Sequence, residues 1–303
     1  LTRTPASLPS CVNDVIENMA EMVDNIDVRT PRGSLSAFNY RVTPYTGGSD
    51  HMMFIDRKVP GIMFSHSDYT HHTSEDTPDK VDPVELERCE IISAGTMWYL
   101  ANLDSKQAND LVYLVQQKSI GRLGAAARKA NMLITEKDSV VGMGDEAQNI
   151  LRQSLANEIK GVVDVLHFNN AQETKQLVAS VQSGFKYQYE TLSRGLNDAM
   201  KGTKAANSIT GKPDKRIPVR MTRGPLDFGL PASKLDAAKA AWYSSSENTI
   251  RGDMDFELIN FIDGKNTVSD IRDALSAEFT PVKLDVVAHY LEDLVNIGVV
   301  KWK

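Results

Sequence analysis

Gly47-Gly48-Ser49-Asp50-His51-Met52-Met53-Phe54, then Val59-Pro60-Gly61-Ile62-Met63-Phe64, then His71-His72-Thr73-Ser74-Glu75-Asp76-Thr77-Pro78-Asp79-Lys80-Val81-Asp82: these three linked runs decide how the first third of the chain is read. The apolar run Gly61-Ile62-Met63-Phe64 predicts a short buried strand. The flanking runs are polar, and four of the six histidines fall between His51 and His72, beside several carboxylates. In an open α/β sheet, ligands sit beyond the carboxyl ends of the strands. Imidazole and carboxylate gathered there are the donors a divalent metal uses. A solvated loop rich in histidine by chance is the other reading of the same composition.

Outward from this segment, Pro9-Ser10 precede an amphipathic stretch with Val12, Ile16, Met19 and Val23 at helical spacing. Pro31-Arg32-Gly33 reads as a turn, and Phe38 to Val42 alternates like a strand. Asp82-Pro83-Val84-Glu85 opens a helix, with Asp82 as N-cap, Pro83 in the first position and Glu85 placed to close a capping box. Residues 1–104 are therefore expected to be the end of an α/β unit. From 105 to 203 the pattern changes to long helices. Leu151, Leu155, Ile159, Val162 and Leu166 form one stripe, and Leu177, Val181, Phe185, Leu192 and Leu196 another. Asn170 with Glu173 reads as a capping box between them, so a helical hairpin within a small bundle is expected. Residues 204–232 read as a linker or extended arm, rich in Gly, Pro and basic residues.

Residues 233–303 read as a small module. A helix over Phe256 to Ile262 is followed by one capped by Thr267, a third over Leu284 to Leu294 stopped at Gly298, and a strand over Val299 to Trp302. That order resembles a winged helix. Residues 251–303 hold six Lys or Arg against ten Asp or Glu, the wrong sign for phosphate binding, so protein docking or packing is the better reading.

The whole chain has 303 residues, 41% hydrophobic and 24% charged, with net charge −6. That is enough apolar mass for real cores and about two or three domains. It makes nucleic acid a poor partner, and no run approaches the roughly 20 apolar residues that span a bilayer. Cys11 and Cys89 are too few for a disulfide framework or a zinc site of their own, and are read as two buried thiols ahead of one bridge. The numbering opens on Leu1 rather than Met, which leads to the expectation of a longer gene product or of processing.

The Gly-Ser-Asp-His-x-x-Phe stretch, the Val-Pro strand and His-Thr-x-x-Asp-Thr-x-Asp-Lys, in that order, resemble the co-catalytic di-zinc aminopeptidases, a metallopeptidase superfamily shared with the glutaminyl cyclases. The resemblance covers about residues 1–104. It implies the C-terminal portion of a mixed-sheet α/β sandwich and a peptide substrate cleaved at its N-terminus. It also implies two zinc ions and a secreted or periplasmic setting. On it, His72 is a zinc ligand and Asp50 lies near the zinc, bonding substrate or the groups that hold metal. His51 shares that supporting work or is structural. His71 stands where relatives often carry an aromatic residue that binds the substrate carbonyl. Either it donates the same hydrogen bond or that function has shifted or been lost.

The family's other ligands are a His, a bridging Asp, a Glu-Glu pair and an Asp, all preceding the last His. No Glu-Glu pair occurs in the 303 residues, and His66-Ser67-Asp68 lacks the Asp-Asn element that should follow. His167 and His289 fall in helical patterns. One imidazole cannot hold a zinc pair. The expectation is thus a zinc aminopeptidase represented by its C-terminal part and inactive alone, completed by a preceding N-terminal catalytic segment, with a homo-oligomer possible. A non-catalytic interaction protein on a degenerate peptidase fold, or an acyl-transfer enzyme of the glutaminyl-cyclase type, are the alternatives.

Overall fold

The amphipathic stretch after Pro9-Ser10 is the first helix of a computed structural model that describes residues 1–26, 28, 37–66, 69–135, 142–203, 212–227 and 229–303. The turn expected at Pro31-Arg32-Gly33 lies outside the described residues, as do Ser67 and Asp68. Helix α1, Val12–Asn25, is buried on two sides. Ile16, Ala20 and Val23 pack with Ile92 of α3, Pro83–Ala101, while Cys11 and Val15 join the core of the helices that follow. Asp82 caps α3 by accepting the Val84 and Glu85 amides. Glu85 turns to Arg88 instead of closing the box. Between α1 and α3 lies the short α2, His51–Asp56.

The α/β expectation is wrong: the protein is mostly helical, and the described residues contain no mixed sheet. The strands expected over Phe38 to Val42 and Gly61 to Phe64 do not form; single bridges fall at Thr43, just past the first run, and at Met63 in the second. Thr2 pairs with Thr43 on one side and Met63 on the other. The bonds are Thr2 N–H to Met63 O at 2.8 Å, Arg3 N–H to Thr43 O at 3.0 Å and Thr43 N–H to Leu1 O at 2.9 Å. A ladder needs successive residues paired on both flanks. Here the pairing stops after one residue, and Phe38, Tyr40, Ile62 and Phe64 instead lean on the core between α1 and α3.

Helices α4, Ser105–Thr135, α5, Met143–Phe168, and α6, Gln172–Met200, pack against one another. Their core includes Leu111, Leu123, Val162, Val181 and Phe185. Asp104 and Gln107 exchange reciprocal cap bonds of 2.7 and 3.0 Å at the start of α4. The capping box expected of Asn170 and Glu173 does not form. Ala171 holds the N-cap position without a side-chain bond, and Asn169 accepts the Ala171 amide at 3.1 Å.

The remaining elements are β1, Pro218–Arg220, the short α7, Ala237–Ala240, α8, Asp253–Asn260, α9, Val268–Glu278, α10, Leu284–Asn296, and β2, Val300–Trp302. Strands β1 and β2 are antiparallel, with Val219 opposite Lys301. Leu258, Ile271, Leu275, Leu291 and Leu294 are their common core. Thr267 and Asp270 form the predicted capping box of α9, and Gly298 takes φ +77° after α10. This C-terminal module packs through α9 on α5. Arg272 bonds Glu146 there, and Arg152 pairs with Asp273 at 2.6 Å. Cys11 is buried, Cys89 is half-buried, and both are free thiols. No helix among the described residues is long and apolar enough to cross a membrane.

Candidate functional site

The run Gly47 to His51 is a turn into α2. Gly48 takes φ +100°, a conformation only glycine adopts without strain. Gly47 is needed for a different reason. Its amide donates to Asp253 Oδ1 of α8 at 2.9 Å, and a Cβ at Gly47 would meet the Phe256 ring at 2.5 Å. The C-terminal module therefore sits directly on this loop. Asp50 occupies the N-cap position of α2 but has helical backbone angles, makes no capping bond and is exposed.

His51, the next residue, is buried. Its Nε2 lies 2.7 Å from the Thr46 carbonyl. A carbonyl only accepts, so Nε2 carries a proton. Nδ1 is buried with no hydrogen-bond partner among the described residues. Tyr45 meets the ring edge-on at 5.5 Å, and Gly61 packs on its backbone. Burial pushes the Tyr45 phenol up to about 12, helped by Glu257.

The second half of the segment is a solvent-facing loop. Every residue from 71 to 83 is exposed. His71 and His72 stack at 3.8 Å between ring centroids, 24° from parallel. His72 has φ +61°, a left-handed conformation that costs a non-glycine residue about 1 kcal/mol. Thr73 closes the turn with its hydroxyl on the Thr70 carbonyl at 2.6 Å. Thr77 donates to Asp79 at 2.5 Å and holds that carboxyl below its usual range.

Of the residues singled out in the sequence, the structure brings His71 and His72 together and leaves Asp50 exposed beside a buried, hydrogen-bonded His51. No group of three or more His, Cys, Asp or Glu among the described residues is placed to hold a metal ion. A catalytic zinc takes about three protein ligands, so the donors present here do not by themselves fit one. The distant histidines are engaged elsewhere. His167 bonds Asp164 at 2.8 Å, and His289 stacks on Trp242. The contacts that sequence reading missed are those of Asp253 and Phe256, because nothing local in a short helix points to a loop 206 residues earlier.

Residues 6–97 match the model of Peptidase family M28. No curated protein and no solved structure matches the chain. The family match supports a peptidase, hence a hydrolase, and it covers the same segment that carries the Gly47–His51 turn and the His71-His72 loop.

Proposed function

We propose that residues 1–104 contribute to a zinc-dependent aminopeptidase site, with His72 as one metal ligand and Asp50 beside it. The observation that carries the reading is the family match over residues 6–97, which contains both. Two features of the chain support it. His72 is presented on an exposed loop, stacked on His71. In addition, α2 and α3 of the matched segment carry the exposed apolar side chains Met53, Phe54, Leu86, Met97 and Trp98. The remaining metal ligands and the general base are supplied from outside the described residues, and this chain alone is inactive. On this reading Asp50 accepts hydrogen bonds from substrate or from groups that hold metal. His51 is the structural member, buried with its Nε2 on the Thr46 carbonyl. His71 offers a ring N–H toward the substrate carbonyl.

The test is metal content together with turnover. In the enzyme that contains this segment, His72→Ala lowers bound zinc and aminoacyl-nitroanilide hydrolysis together. Full activity with both metals retained shows the wrong histidine was chosen. The 303-residue chain given zinc shows no turnover of the same substrate, and measurable zinc-dependent turnover overturns the proposed division of ligands.

A further inference from the structure

The strip from Lys212 to Arg223 reverses the charge of the chain around it. It holds five Lys or Arg and one acidic residue, Asp214, in a protein of net charge −6. Arg216 is occupied: it pairs with Asp214 and Glu292 and lies over the Trp302 ring. Arg220, the last residue of β1, and Arg223, in the loop after it, instead line a cleft of about 450 Å³. Arg57 and Lys58, which follow α2, line it as well. The C-terminal residues 251–303 are acidic on balance, but these four cations come from outside that window.

The cleft is short of negative charge. Its two carboxylates, Asp56 and Asp263, are turned to backbone amides: Asp56 accepts from Gly224 at 2.9 Å, and Asp263 from Lys265 and Asn266 at 2.9 and 2.8 Å. Lys58 donates to the Asn260 carbonyl at 2.9 Å. Arg220 is half-buried and donates through Nη2 to the Gly224 carbonyl at 2.8 Å. Its Nη1 stands 3.7 Å from Asp56, beyond hydrogen-bond reach, and its Nε is buried with no partner among the described residues. Burial pulls both Arg220 and Lys58 below their ordinary values although nearby carboxylates oppose the shift. Arg57 and Arg223 are exposed and make no ion pair or side-chain hydrogen bond among the described residues. Two guanidinium forks are thus free at the cleft, and each fork matches a pair of oxygens on an oxyanion.

We propose that this cleft binds a phosphate-bearing small molecule, gripped by Arg57 and Arg223, with Arg220 and Lys58 supplying further positive charge. A tetrahedral phosphate offers oxygens in several directions and can accept from more than one fork, whereas a carboxylate lies in one plane. The volume falls in the range of small-molecule sites. It exceeds a single phosphate, so the ligand is a diphosphate or a phosphate that carries a further group. The net charge of the whole chain repels a long polyanion. Arg57 belongs to the segment that matches the peptidase family and Arg223 to the strip that leads into the C-terminal module, so the ligand fastens one to the other.

The experiment is isothermal titration of the full chain with pyrophosphate and, separately, with AMP, at low ionic strength. One-to-one binding of at least one is expected, and the tighter of the two tells a diphosphate from a phosphomonoester. The bound probe also raises the melting temperature. Arg57→Gln and Arg223→Gln each remove a free guanidinium and lower the affinity about tenfold apiece. Lys215→Gln removes the same charge outside the cleft and leaves the affinity within about twofold, because solvent and salt screen a distant exposed charge. Absence of binding and of any melting shift with both probes at millimolar concentration overturns the site. An equal loss in Lys215→Gln overturns its location, and citrate bound as tightly as the phosphates overturns the ligand class. None of these readouts involves zinc or peptide turnover, so the outcome is independent of the peptidase reading.

Discussion

Gly47 has room for a hydrogen and nothing larger, since the Phe256 ring occupies the place of a side chain. Gly47→Ala is expected to destabilise the protein by about 1–3 kcal/mol in urea unfolding, the usual cost of overpacking. Phe256→Ala in the same chain should recover part of that loss, so the double-mutant cycle shows coupling. Arg122 presents the opposite problem. It neutralises Asp14 at 2.6 Å and Glu158 at 2.7 Å, both nearly inaccessible. Arg122→Met leaves buried Glu158 with only the Ser119 hydroxyl and Asp14 with only Arg3 at 4.0 Å, and should cost about 3–5 kcal/mol, measured the same way. At this scale the sequence exposes a residue's chemistry but not its partner. Gly47-Gly48 reads as a turn from composition alone. The buried state of His51 does not, because it depends on a carbonyl five residues back and a ring at Tyr45.

Among the elements, helices were readable where their signals are local. The Thr267 box of α9 needs only residues three apart, and Thr267→Ala should lower stability by about 1 kcal/mol in thermal or denaturant unfolding. The Asn170-Glu173 pair has the same spacing but fails, because the chain enters α6 one residue later, at Ala171. Helix α8 starts at Asp253 rather than Phe256, which half-buries Asp255 and leaves its Oδ1 buried with no hydrogen-bond partner among the described residues. Burial raises that carboxyl to about 6. Its pKa is thus higher in the folded than in the unfolded chain, so stability present below the ordinary Asp range is lost as pH rises through about 6. Asp255→Asn should abolish this fall and leave the protein about 1 kcal/mol more stable at neutral pH, after allowance for partial solvent screening. Melting curves at pH values on either side of the transition decide it.

The whole molecule departs furthest from its sequence. A strand is defined by its neighbours; Phe38 to Val42 holds no bridging residue and Gly61 to Phe64 only one, Met63. Alternation and short apolar runs could not reveal that. The long helices from 105 to 200 need no such partner to be recognised. For the candidate site, the His71-His72 loop and the Gly47 turn were visible as motifs, whereas the α8 contact that supports the turn was not. Contacts between α9 and α5 join the C-terminal module to the helical bundle through Arg272–Glu146 and Arg152–Asp273. Calorimetry should therefore show one unfolding transition for the wild type and two for Arg272→Ala, which strands the buried Glu146.

Trp98 lies 74% exposed on the outer side of α3, beside Met97, whereas Trp242 is stacked on His289 and Trp302 lies under Arg216. The chain thus carries its own optical gauge of that face. Indole in water emits at the red end of its range, and iodide can collide with it. Whatever settles over α3 turns the emission blue and shuts the quencher out, while the other two indoles report that the C-terminal module has not changed.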